Sequence, residues 1–105
     1  MAQFDVYRNP SPASRSRYPL LLDVQSDLLA ELNTRVVVPL CPAAGMKGRL
    51  LGHLTPILPI EGKTYAMEST QIAGIPSRAL GAKVAVLAGQ RQNILAALDF
   101  LITGV

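Results

Sequence analysis

Tryptophan is missing from this chain, and cysteine and histidine each occur once. A lone thiol, Cys41, cannot close an intrachain disulfide, which suits a reducing compartment. Beside Pro42 it reads as a small half-buried residue and not as a reactive thiol. One cysteine and one histidine are also too few ligands for a structural zinc, so no metal and no cofactor is expected. His53, in "LLGHLTP", has no acidic neighbour in sequence and reads as an ordinary surface or structural histidine, not as a general base. The strings GxSxG, GxGxxG and the P-loop lysine motif do not occur, so no catalytic residue is nominated.

Charge is scarce too, at 16% of residues. The net charge is +3, but the basic residues are scattered with no block of five or six. A solvated, mildly basic surface follows, open to an acidic protein partner and without the footprint of a nucleic-acid site. No apolar run approaches the ~20 residues that cross a bilayer. The opening "MAQFDVYRN" alternates instead of forming a signal segment, so a cytoplasmic protein with no membrane partner is expected.

Half of the residues are apolar. In 105 residues that supplies one core and one domain, expected over 1–105, and leaves a surface lean enough in charge to suggest contact with a partner or a second copy.

Period-two alternation at Phe4 and Val6 predicts a strand. "RNPSPASRSR" then breaks it with an exposed loop over residues 8–17. "YPLLLDV" reads as a strand that Pro19 starts or pushes to an edge, and "RVVVPL" as one that Pro39 ends or bends. Residues 41–52 read as a loop. Residues 54–60 and 63–67 flank Glu61-Gly62 and form a hairpin, making a meander of about five strands. Residues 72–81 are a loop with room for one short strand. From Val84 the period changes. Val84, Leu87, Ile94, Leu98, Leu101 and Val105 fit one helical face, with the helix continuous from Gln90 to Thr103 and stopped by Gly104. The expected class is mainly β with a C-terminal helix.

The polar cluster "DVQSD" could bind a cation or hold an acid–base pair. Asp and Ser at a strand end more simply bond nearby backbone N–H groups, and Asp27 is expected to cap a short segment starting at Leu28. Leu28 and Leu29 point in different directions, so one of them faces outward.

The strings "QFDVY", "LLLDVQSDLL", "RVVVPL", "HLTPILPIEGKTYAM", "IAGIPSRALG" and "FLITGV", in that order, resemble the CcdB family of toxins from plasmid and chromosomal toxin–antitoxin modules. The resemblance runs over nearly the whole chain, least at residues 10–16 and 42–52. It implies an SH3-like barrel of the CcdB and MazF-Kid type: a five-stranded antiparallel sheet, a small side sheet and a C-terminal helix, in a two-fold homodimer. It implies a non-enzymatic toxin that binds the A subunit of DNA gyrase and traps the gyrase–DNA cleavage complex. A cognate antitoxin neutralises such toxins through a disordered segment that folds over them. Operator DNA is touched only through the antitoxin complex, which regulates its own transcription and serves plasmid maintenance.

Carried over by position, the gyrase contacts are Leu28 and Leu29 after the polar turn, and Asp99, Thr103, Gly104 and Val105 at the end of the helix. A prominent family member has tryptophan where Thr103 stands and asparagine where Asp99 stands, so the apolar anchor here is smaller. Arg8, Arg15 and Arg17 suit an acidic antitoxin segment. Two alternatives share the barrel: an endoribonuclease toxin using His53 and the dispersed arginines, and a homologue that has lost gyrase poisoning. The ending "DFLITGV" divides accordingly, with Leu98, Leu101 and Ile102 assigned to packing and Thr103 to Val105 to presentation.

Overall fold

The computed structural model describes residues 1–46 and 52–104. Among the described residues, seven antiparallel strands and one long helix make up the frame: β1 (Asp5–Arg8), β2 (Leu20–Asp23), β3 (Thr34–Pro42), β4 (Ile57–Ile60), β5 (Lys63–Met67), β6 (Ala73–Pro76), β7 (Lys83–Val86) and α1 (Arg91–Thr103). Strands β6, β3, β2, β1 and β7 lie side by side as a five-stranded sheet. The far half of β3 pairs instead with the β4–β5 hairpin, which forms the small side sheet. The architecture is the expected one: mainly β, a curled antiparallel sheet forming half of a barrel, and a C-terminal helix.

Alternation explains the core. Val6, Leu20, Leu22, Val24, Val38 and Leu40 point to one face and pack with Leu58, Ile60 and Met67 of the hairpin. Ile94 and Ala97 of α1 close this face, with Leu95 and Leu98 packed at its border. Leu101 is half buried, whereas Ile102 is 77% exposed, so its expected place on the packed face is corrected. At 100° per residue Ile102 follows Leu101 round the helix onto the solvent side.

The hairpin turns as its sequence predicts. Glu61 and Gly62 both take positive φ, at 50° and 78°, the geometry that matches the twist of paired strands.

Several boundaries differ from the sequence reading. β3 runs through Pro39 to Pro42, although Pro39 was expected to end or bend it. β6 and β5 both lie along one edge of β3, with ladders ending at Val37 and resuming at Leu40. Pro39 sits in the gap, where its carbonyl accepts from Glu68 N at 3.1 Å and no ladder requires its missing N–H. Residues 43–46 and 52–54 are 3-10 turns rather than loop and strand, and β4 starts at Ile57.

β6 is the short strand for which residues 72–81 left room, whereas β7 lies outside the expected meander of about five strands. Val84 and Leu87 do not belong to the helix: Val84 lies in β7 and Leu87 just after it. A bulge skips Val84 between the pairs Val6↔Ala85 and Tyr7↔Lys83, so the apolar residues of β7 lose strict alternation and imitate a helical spacing.

Candidate functional site

The polar turn after β2 is built from inside outward. Asp23 alternates with Leu22 and Val24, so it points to the face of the sheet away from the core. There its Oδ2 accepts from Arg35 Nε at 2.8 Å, with both side chains wholly buried. Arg35 Nη2 lies 2.6 Å from the same oxygen but is misaligned for a hydrogen bond, so that contact is Coulombic. Burial pushes the Asp23 carboxyl above its ordinary value, against the pull of the Arg35 and Gln25 hydrogen bonds. Nearby, Tyr7 OH donates to Asp5 Oδ2 at 3.3 Å, and burial, then Asp5, raises the phenol to about 12.

The other Asp23 oxygen accepts from Gln25 N at 3.0 Å. Gln25 is itself buried, and its amide donates to Leu29 O at 2.9 Å while accepting from Val36 N at 3.0 Å. Ser26, not Asp27, caps the following 3-10 turn Asp27–Leu29, accepting from Leu28 N at 3.2 Å. The expected Asp27 cap is corrected because Asp27 Oδ1 is taken by Gln3 N at 2.8 Å. Gln3 in turn receives Arg91 Nη1 at 3.2 Å, and the Arg91 guanidinium lies over the Phe4 ring, so the first residues tie this turn to the start of α1.

Carried on this frame, Leu28 is 94% exposed and Leu29 and Leu32 about half exposed. Both leucines of the pair therefore show apolar surface, where the sequence assigned outward exposure to one.

The second set of predicted residues lies at the other end of α1. Gly104 takes a left-handed φ of 76° and donates its N–H to Phe100 O at 2.9 Å, as a helix stop does. Thr103 Oγ1 donates back to Asp99 O at 2.7 Å, and Asp99, Thr103 and Gly104 are all exposed beside Ile102. Val105 lies outside the described residues. His53 is exposed and stacks at a tilt on Phe100, with ring centres 5.3 Å apart. Since the leucine turn is tied to Arg91 and α1 spans about 18 Å from Arg91 to Thr103, the chain holds its two predicted contact sets at opposite ends of the helix.

Arg8, Arg15 and Arg17 are exposed on and around the loop between β1 and β2. Asn9 organises that loop, donating to Ser14 Oγ at 2.9 Å and Tyr18 O at 2.8 Å. Tyr18 OH donates to Glu68, and burial, then that bond, raises the Tyr18 phenol. Behind the loop lies a groove of about 340 Å³ lined by Tyr18, Leu21, Val37 and Ile75 among others. Among the described residues no three His, Cys, Asp or Glu side chains gather as a metal site, and no helix is long and apolar enough to cross a membrane.

A family model described as CcdB protein matches residues 3–104. The chain belongs to the CcdB family. Membership makes it a toxin of the toxin–antitoxin type, and the curled sheet with its closing helix agrees with that assignment. What the sequence reading of this CcdB-family chain missed is the support beneath the leucines. Arg35 was one scattered cation among ten basic residues, and Gln25 was only a polar neighbour. An arginine at the head of a run of valines in an apolar strand, with an aspartate ending the strand before it, was the available signal.

Proposed function

We propose that this toxin poisons DNA gyrase: it binds the A subunit and holds the enzyme in its cleaved-DNA state, acting by contact and not as an enzyme. The observation that carries the reading is Leu28, almost fully exposed on a turn pinned by Ser26, Gln25 and Asp27. A large aliphatic side chain held in water without packing gains free energy only when a partner covers it. The contact set is Leu28, Leu29, Asp99, Thr103, Gly104 and Val105. Because the two halves of that set lie at opposite ends of α1, a two-fold homodimer is the arrangement that multiplies such sites for a symmetric target. Ile102, exposed on the same helix end, joins the set and offsets part of the area that Thr103 lacks relative to tryptophan.

Arg8, Arg15 and Arg17 receive an acidic segment of the cognate antitoxin, and the toxin reaches operator DNA only through that complex. Site of action is the cytoplasm, on the single domain 1–105. The test is expression in cells carrying either wild-type or resistant gyrase A subunit, with supercoiling and DNA-cleavage assays on the purified enzyme. Toxicity abolished by the resistant subunit, with accumulation of cleaved DNA, is the expected result. RNA decay unaffected by the gyrase allele would instead assign the endoribonuclease alternative. A harmless chain that still binds antitoxin would mark a homologue that has lost poisoning.

A further inference from the structure

We infer that Gln25 is a positioning residue for the gyrase contact: its buried amide holds the turn bearing Leu28 and Leu29 in its binding shape without itself reaching the partner. The inference rests on reading those leucines as gyrase contacts. None of the three residues of the Asp27–Leu29 turn is buried and Leu28 is 94% exposed, so little apolar packing fixes their conformation. Left to itself such a segment samples many backbone states, and a partner that captures one of them loses affinity in ordering it.

Gln25 removes that cost in advance. Its Nε2 donates to Leu29 O at 2.9 Å and its Oε1 accepts from Val36 N at 3.0 Å, so one side chain fastens the far end of the turn to the start of β3. Its own backbone N–H is held by Asp23 Oδ1 at 3.0 Å, and Asp23 by Arg35 of the same β3. The anchor is thus stiff at both ends. Ser26 and Asp27 also bond in the turn, but both bonds are exposed and compete with water, whereas Gln25 is 5% exposed. A carboxamide is required because one end must donate to a carbonyl and the other accept from an N–H. Glutamate would set a carboxylate oxygen against Leu29 O, and methionine of similar length would make neither bond.

The experiment uses the full chain as Gln25→Met, Leu28→Ala and the double variant, with binding kinetics to the purified gyrase A subunit and amide hydrogen exchange. Gln25→Met is expected to weaken binding about tenfold, mainly by slowing association. It should speed exchange at the Leu28 and Leu29 amides while leaving β1 to β3 protected. The Leu28→Ala penalty should shrink in the Gln25→Met background, because Gln25 acts through that leucine; a merely structural role leaves the two penalties additive. If Gln25→Met does not fold, Gln25→Glu is read by the same measurements.

Unchanged exchange at the turn, or faster exchange with unchanged binding while Leu28→Ala binds weakly, overturns the positioning role alone. Full affinity of Leu28→Ala overturns the gyrase-contact reading and the positioning role with it. Exchange at the turn, which needs no gyrase, then reports separately whether Gln25 orders it.

Discussion

Arg35 and Asp23 meet on the outer face of the sheet, 2.8 Å from Nε to Oδ2, with no exposure to water on either side chain. Breaking one partner of a buried pair leaves a charge without compensation, so Arg35→Leu should lower unfolding free energy by about 3–5 kcal/mol. Arg35→Met combined with Asp23→Leu should recover most of that loss, less the Asp23 bond to Gln25 N. Urea denaturation of the three chains measures both differences, and equal losses in single and double variants would count against the pair.

Leu28→Asp and Ile102→Ser separate stability from function. Both side chains stand in water, so unfolding free energy should change by no more than about 0.5 kcal/mol. Gyrase inhibition should fall by tenfold or more for Leu28→Asp, since a charge replaces the apolar contact. Parallel thermal melts and supercoiling assays read the split.

Tyr7 predicts an alkaline limit. Its phenol is raised to about 12 in the folded chain, against an ordinary value near 10. The folded state therefore keeps a proton that the unfolded state releases. The associated stabilisation is complete below pH ~10 and is lost as pH rises towards ~12, up to about 3 kcal/mol. Tyr7→Phe should flatten that decline, visible as a stability profile in urea between the two pH values.

Glu61 is a defect at the hairpin. It holds a φ of 50°, which an asparagine or glycine accepts with less strain. Glu61→Asn should raise stability by about 0.5–1 kcal/mol, measured as a higher midpoint of denaturation with activity unchanged.

Legibility followed chain locality. The Glu61-Gly62 turn, the helix stop at Gly104 and the alternating strands around Leu22 and Val38 could be read because neighbours in sequence determine them. β7 could not, since its bulge at Val84 is set by pairing with β1, nearly eighty residues earlier. The cap at Ser26 was misassigned for a similar reason: Asp27 is drawn away by Gln3, which no local pattern predicts. The candidate leucines were legible through resemblance, and their support through Gln25 and Arg35 only in three dimensions.

Pro39 has one last consequence. Being unable to donate where β6 ends and β5 begins, it prevents these two strands from zipping into one continuous ladder along β3. A slip of one residue in either strand would turn every side chain of that strand to the wrong face. With the turn Ser69–Gln71 giving slack between β5 and β6, the break at Pro39 leaves room for a change of register in one strand to stop before it reaches the other.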